Sequence, residues 1–480
     1  MHISAVNDNT DPETVHNCEL GFGIDNDSSI LLKGDKCVRT IRVGAEDVYL
    51  EFLRSAVAQR LQSEGRFVEC TVLSRLPNGA VQVEHPLIKF PTYPYEWSAS
   101  ALRSAATFFL DLLCELNLSG YTLKDGHPWN ILFRGASPVW VDLTSIKRLS
   151  SASARPELDD FFNYFVLPLR LFACGLNSHA RFYLSQLFIH PDSWLEAEAA
   201  RGTLTRPQPT NPEGIKSAAR RLLSLVTKRV RPIPPVPPAA KQKAPDAISH
   251  LRRIIASTDC LSAEGEWSNY YVGNNGLPVF NPEEGVPTDI EHSTAKHRLI
   301  AGILRENRPK TVLDIGCNSG LYSFMAASLG AEVLGVDIDE QALDRMFLAA
   351  RKNDLKVQCI CADFVSPLMP SEYMHKPRLR KLHDRAAADL TLCLALVHHW
   401  VFKRLQLKFP DVAAILSAVT ANTLVVEFVP EDDVHVSKWM TPDFGWYTLD
   451  NFIASLGAYF QTVTVHASFP SPRLLLVCSR

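Results

Sequence analysis

The residues best suited to chemistry lie in the C-terminal half of the chain. The run Asp314-Ile315-Gly316-Cys317-Asn318-Ser319-Gly320 follows a short apolar segment and precedes a helical pattern. Glycine permits backbone conformations and close approaches that other residues resist. Exposed amides opening a helix suit a carboxylate, and Asp314 beside them can hold an ammonium group. Seventeen residues beyond Gly320 comes Asp337, then Ile338; an acid at the end of a second strand can accept both hydroxyls of a ribose. Asp363 ends a third apolar run and can accept the amino group of an adenine, with Phe364 against the ring. Cys317, Asn318, Ile338 and Leu394 complete the expected lining. A dinucleotide turn would read G-x-G-x-x-G, whereas this one reads D-x-G-x-x-x-G.

A second group of residues faces the reacting end of such a ligand. Leu394-Ala-Leu-Val-His398-His399-Trp400 follows the fourth apolar run. The carboxyl ends of parallel strands border the binding crevice. A neutral histidine there can take a proton from a hydroxyl or amine; the alternative is that one histidine packs and the other caps a helix. Glu427, ending the fifth run, either orients an acceptor or makes a structural pair. No Asn-Pro-Pro-Tyr-type tetrapeptide follows the fourth run, which disfavours an amide or nucleobase amino group as acceptor. Trp267, Tyr270 and Tyr271 lie upstream, either over the ligand or in the core. Lys376, Arg378, Arg380, Lys381 and Arg385 make a basic insertion, read as a solvated face or a contact for an anionic acceptor.

The elements that must position these groups alternate in type. TVLDI (311–315), EVLGVDI, KVQCICAD, DLTLCLALV (389–397) and TLVVEFV (423–429) read as strands separated by helical patterns, one from about Glu340 to Lys352. Such alternation indicates a parallel sheet. Gly330 is placed to end the first helix. FQTVTVHA and RLLLVCS read as a closing antiparallel hairpin. This order resembles the seven-stranded, Rossmann-like sheet of class I methyltransferases. The resemblance implies S-adenosyl-L-methionine as cofactor and an S-adenosylmethionine-dependent methyltransferase as the activity. His398, His399 and Glu427 are then the catalytic candidates.

The N-terminal half carries another pattern. In Leu123-Lys124-Asp125-Gly-His127-Pro-Trp-Asn130, the acid and the amide are five apart, and Asp142 follows on an apolar strand. This resembles the catalytic and metal-binding segments of aminoglycoside-phosphotransferase-like kinases, with Asp125 as base and Asn130 and Asp142 as magnesium ligands. No glycine-rich loop followed by a V-A-I-K-like strand appears in residues 20–90. The expected fold is therefore an α+β, degenerate kinase-like domain serving substrate binding or support, with no resident metal.

Six prolines in residues 231–245 read as an extended linker. They divide the chain into a disordered 1–20, a kinase-like 21–230 and a methyltransferase unit 246–480. The 480 residues carry a net charge of −3, with 46% hydrophobic and 21% charged residues. That is a globular composition with no field favouring nucleic acid. Eleven scattered cysteines read as reduced thiols. No secretory signal and no run approaching the ~18 apolar residues of a membrane span is present, so a cytoplasmic protein is expected. Tyr93-Pro-Tyr-Glu-Trp97, LKD-x-x-P-x-N, DIGCN-x-G, LAL-x-HH and VEFVP-x-x-D together resemble a bacterial group, the host-specific nodulation proteins of the NoeA type. That resemblance implies a part in making or modifying a lipo-chitooligosaccharide signal. It leaves the acceptor and the oligomeric state open.

Overall fold

A computed structural model describes residues 18–20, 27–150, 155–185, 244–258, 260, 280–286, 294–367 and 380–480. The expected linker falls almost wholly outside these residues; its last two positions open the helix Ala244–Ser257.

The C-terminal half is built on a seven-stranded sheet. Its strands are β10 (Thr311–Ile315), β11 (Glu332–Asp337), β12 (Val357–Cys361), β13 (Ala388–Cys393), β14 (Thr420–Phe428), β15 (Thr462–Ala467) and β16 (Leu474–Ser479). Their order is β12-β11-β10-β13-β14-β16-β15. The first five are parallel, and β16 runs antiparallel between β14 and β15. This is the class I methyltransferase topology. The order reverses between β10 and β13, so the crevice must open at their carboxyl ends. Every residue of β10 is buried, as helices on both faces require.

The boundaries follow local chemistry. The helix Glu340–Lys352 is capped by Asp339, whose side chain accepts from Ala342 N. Gly330 sits at φ 97° after the helix Leu321–Ser328. One boundary differs from the sequence reading. The fourth strand stops at Cys393, because Ala395 turns to φ 49° and Val397 opens the helix Val397–Phe402. The apolar run continues because that helix is buried too, and periodicity cannot separate the two cases.

The N-terminal half has a five-stranded antiparallel sheet. Its strands, β1 (Cys18–Leu20), β2 (Ser28–Lys33), β3 (Lys36–Ile41), β4 (Thr71–Arg75) and β5 (Val81–Pro86), take the order β1-β2-β3-β5-β4. Two helices, Glu46–Arg54 and Ala56–Ser63, lie between β3 and β4. Then come the buried helix Ala99–Leu118 and two antiparallel strand pairs. β6 (Tyr121–Leu123) pairs with β9 (Ile146–Arg148), and β7 (Ile131–Arg134) with β8 (Ser137–Trp140). One apolar core runs across both halves, with Phe133 edge-on to Phe347 at 5.8 Å.

Candidate active site

Asp314 is 2% exposed on the central strand, and its Oδ2 accepts from Ser323 Oγ at 2.7 Å. Burial raises its pKa to about 6; the Ser323 bond moderates the shift, and the nearby Asp337 adds to it. The turn after β10 is closed by its own backbone, Gly320 N donating to Cys317 O at 2.9 Å. Gly316 (φ 77°) donates to Val336 O at 2.8 Å, and a Cβ there would meet the Leu396 side chain at 3.3 Å. Gly320 (φ 91°) opens the next helix, where a Cβ would lie 2.8 Å from Met346 Cγ. Cys317 is buried below the turn, and burial holds its thiol protonated.

Asp337 is already engaged by backbone. Its Oδ2 accepts from Asn318 N at 2.7 Å, and its Oδ1 from Ile338 N at 2.7 Å and Asp339 N at 2.9 Å. Burial, the largest influence, nevertheless raises its pKa. A carboxylate offers about four lone-pair sites. Three are used, so one ribose hydroxyl can be added and a second must share. Ile338 beside it is 47% exposed, an apolar side chain at the crevice rim. Asp363 accepts from Val365 N at 3.3 Å and lies 3.5 Å from the Arg404 guanidinium. The Phe364 ring departs from the expected stacking platform. It is 3% exposed, packed on Trp400 and His383, and belongs to the core.

At the reacting end, His398 and His399 open the helix after β13 with rings 4.3 Å apart. His398 is 3% exposed and lies parallel to Trp439 at 6.0 Å. Burial, reinforced by His399, Arg473, His435 and Lys296, pulls its pKa to about 2, and that of His399 falls to about 4. The His398 Nδ1 is buried without a hydrogen-bond partner among the described residues. Glu427 is fully buried and tied at both oxygens: Lys296 Nζ donates to Oε2 at 2.8 Å, and Ser468 Oγ donates to Oε1. Of the two sequence readings of Glu427, the structural pair fits this geometry. Its remaining lone pairs are closed to an acceptor by burial, at 0% exposure.

Lys296 and His297 escaped the sequence reading. Thr294 caps their helix, Ala295–Asn307, and both side chains are buried. Lys296 lies over the Tyr322 ring at 5.9 Å, and His297 stacks on it at 5.6 Å. The available signal was a lysine sharing a helical face with Ile300, Ile303 and Leu304. Trp267, Tyr270, Tyr271, Lys376 and Arg378 fall outside the described residues. Of the basic insertion, Arg385 is buried in an ion pair with Glu96 and is not a solvated charge.

In the N-terminal half, Asn130 Nδ2 donates to Asp125 Oδ1 at 2.9 Å, and His127 Nε2 lies 3.5 Å from Oδ2. Asp142 pairs with Arg39 at 3.1 Å and accepts from Thr144 Oγ1 at 2.8 Å. The sequence reading found no lysine strand; β3 instead presents an arginine to this acid.

The donor set fits S-adenosylmethionine. The amides of Gly316 and Gly320 are taken by Val336 O and Cys317 O, so the glycines contribute close backbone approach; Asp314 would hold an ammonium, and Asp337 retains acceptor capacity beside an apolar side chain. Fold and crevice together define a class I S-adenosylmethionine-dependent methyltransferase. A methyltransferase-domain family model matches residues 312–416. Over nearly its whole length the chain is similar to Nodulation protein NoeA of Rhizobium meliloti (strain 1021). The two are 25% identical over 464 residues, covering 93% of this chain and 92% of that protein. A ubiquinone biosynthesis O-methyltransferase of Paraburkholderia xenovorans (strain LB400) is 30% identical over 139 residues, 28% of this chain and 59% of that protein. Among solved structures, the bifunctional kinase-methyltransferase WbdD aligns over 38% of each chain at 20% identity, with a TM-score of 0.28.

Proposed function

We propose that this enzyme methylates a hydroxyl on a glycan or small-molecule acceptor, in the modification of a lipo-chitooligosaccharide nodulation signal. The observation that carries the acceptor chemistry is His398, buried at the crevice, neutral, and holding an unpartnered ring nitrogen. S-adenosylmethionine, when bound, supplies a methyl group on a sulfonium. The chain's part is to align the acceptor for in-line displacement and to take its proton. Alignment provides most of the acceleration in such reactions, and a base held as weak as His398 contributes at the low end of the usual range of about 10²–10⁴-fold. Lys296 and Glu427 hold the wall of the chamber through their mutual bond. Similarity to NoeA over both halves supports the signal-modification reading.

Incubating purified protein with S-adenosylmethionine and lipo-chitooligosaccharide tests this directly. A product heavier by one methylene, with kcat reduced about 10²-fold in His398→Ala, is the expected result. Full turnover in that variant would discard His398 as the base. A cofactor-binding scaffold, the alternative function, predicts no methylated product at all.

The kinase-like half serves docking or support in this reading. Arg39 engages Asp142, a group that a phosphoryl-transfer site would commit to magnesium, and Asn130 engages Asp125, the group that would serve as base.

A further inference from the structure

Three loops meet at the carboxyl edge of the seven-stranded sheet, where its crevice opens. One follows β13 and carries His398, His399 and Lys403; one follows β14 and carries Asp433, His435 and Trp439. The third is the turn between β15 and β16, with Arg473. Pairing of Phe428 with Leu474 sets that turn against the end of β14. Trp439 is the centre of the group. Its ring centroid lies 6.0 Å from that of His398, 5.6 Å from His399 and 6.5 Å from His435, and the Lys403 ammonium stands over its face at 4.3 Å.

The unbalanced charge in this corner has one sign. The strongest charged neighbours of His398 are His399, Arg473, His435 and Lys296, and those of His399 are Lys403, His435, Arg404 and Arg473. Not one is an acid. The acids nearby are committed or outside. Asp433 pairs with Arg473 at 2.9 Å and accepts from His435 N at 2.9 Å; Asp363 lies 3.5 Å from Arg404, and Glu427 is bound to Lys296. Glu431 and Asp432 are exposed. Among the described residues Lys403 makes no ion pair, and the His435 side chain makes no hydrogen bond.

A solvated lysine needs no partner, so exposure of Lys403 alone points to nothing. The second observation is His398 itself, 3% exposed, with Nδ1 buried and unpartnered among the described residues. Burial is the main reason it holds a proton so weakly, and the surrounding bases add to that. An opposite charge brought within a few ångströms favours the protonated form. An anion on the ligand therefore cancels the bases' share and makes His398 a better proton acceptor.

We propose that the acceptor site selects a sugar carrying an oxyanion substituent, a sulfate or phosphate ester or a carboxylate, held by Lys403 and His435 around Trp439 beside the hydroxyl that is methylated. This rests on the hydroxyl-methylation reading above and adds the class of acceptor. A neutral sugar in the same place lacks the partner for Lys403 and leaves His398 under the full field of its neighbours.

Saturation-transfer NMR titrations on the full chain test this, with S-adenosylhomocysteine filling the cofactor crevice and ionic strength kept low, where exposed charges are least screened. N-acetylglucosamine and glucose are the neutral probes. The sulfate and phosphate esters of N-acetylglucosamine, and glucuronic acid, carry the oxyanions. At least one anionic sugar should bind about tenfold more tightly than its neutral parent, the gain of one hydrogen bond to a charged group, and the tightest identifies the substituent. Lys403→Met should erase that preference with the neutral affinities unchanged, and Lys403→Arg should keep it. A packing role alone would move all the probes together. Lys403 is exposed, so both variants are read in a folded chain. Equal affinity for neutral and anionic sugars, a preference that survives Lys403→Met, or inorganic sulfate binding as tightly as the sugar ester overturns the proposal and leaves hydroxyl methylation standing. Binding by no sugar, in a chain that binds S-adenosylhomocysteine, overturns the glycan reading along with it.

Discussion

Two acids in the crevice differ in what they have left to give. Asp314 spends one oxygen on Ser323, whereas Asp337 has accepted three backbone amides before any ribose arrives. Asp337→Ala therefore removes both a ribose acceptor and the brace of the turn. It is expected to weaken S-adenosylmethionine binding by about 1–3 kcal/mol per hydroxyl left unpaired, as read by calorimetry on folded protein. Unchanged affinity would exclude the ribose role. Histidine burial also sets a pH dependence. The pKa values of His297 and His399 fall to about 4, and that of His398 to about 2, against an ordinary 6.5. The unfolded chain binds these protons first, so stability is full above pH 6.5 and is lost as pH falls toward 4. Asp314 opposes this trend: raised to about 6, it takes its proton in the folded state first and adds stability as pH falls from 6 toward 3.8. His85 falls to about 4 as well, while Asp337 and Asp344 rise with Asp314, so the histidine share is read by difference. Urea denaturation at pH 7 and pH 5 should show His297→Gln losing less stability between the two than the wild-type chain.

At the level of elements, the turn between β10 and its helix is the least substitutable part of the crevice. Gly320 combines φ 91° with a Cβ path blocked by Met346 Cγ at 2.8 Å. Gly320→Ala should cost about 1–3 kcal/mol from backbone strain, displace the helix start, and weaken cofactor binding. A wild-type denaturation midpoint in this variant would contradict the strain argument. The helix Val397–Phe402 shows the converse. Its apolar run continues the strand pattern, and only the break at Ala395 turns His398 and His399 into the crevice region.

Across the whole molecule the two halves are locked by buried polar contacts. Arg385 pairs with Glu96 and donates to Pro91 O at 2.7 Å; Arg181 reaches Glu340 at 2.7 Å; Asp344 accepts from Ser100 N at 2.9 Å. Burial raises the Glu96 pKa, and Arg385 counters that. Arg385→Met leaves Glu96 buried without its cation, which should cost about 3–5 kcal/mol. Glu96→Gln added to Arg385→Met should recover much of the loss. Denaturation curves of the single and double variants check this, and a single variant as stable as wild type would refute it.

Local sequence decided the methyltransferase half. Strand runs, the D-x-G-x-x-x-G turn, Gly330 and the acids at strand ends are set by neighbours a few residues away, where periodicity and φ preferences operate. Whether a side chain is free or committed depends on partners far along the chain. Glu427 is spoken for by Lys296 and Ser468, Phe364 by Trp400, Arg385 by Glu96, and Asp142 by Arg39. The chain motif names the type of group at each position. Tertiary packing alone determined which of those groups, among them His398 and His85, still has a hydrogen-bonding atom to offer.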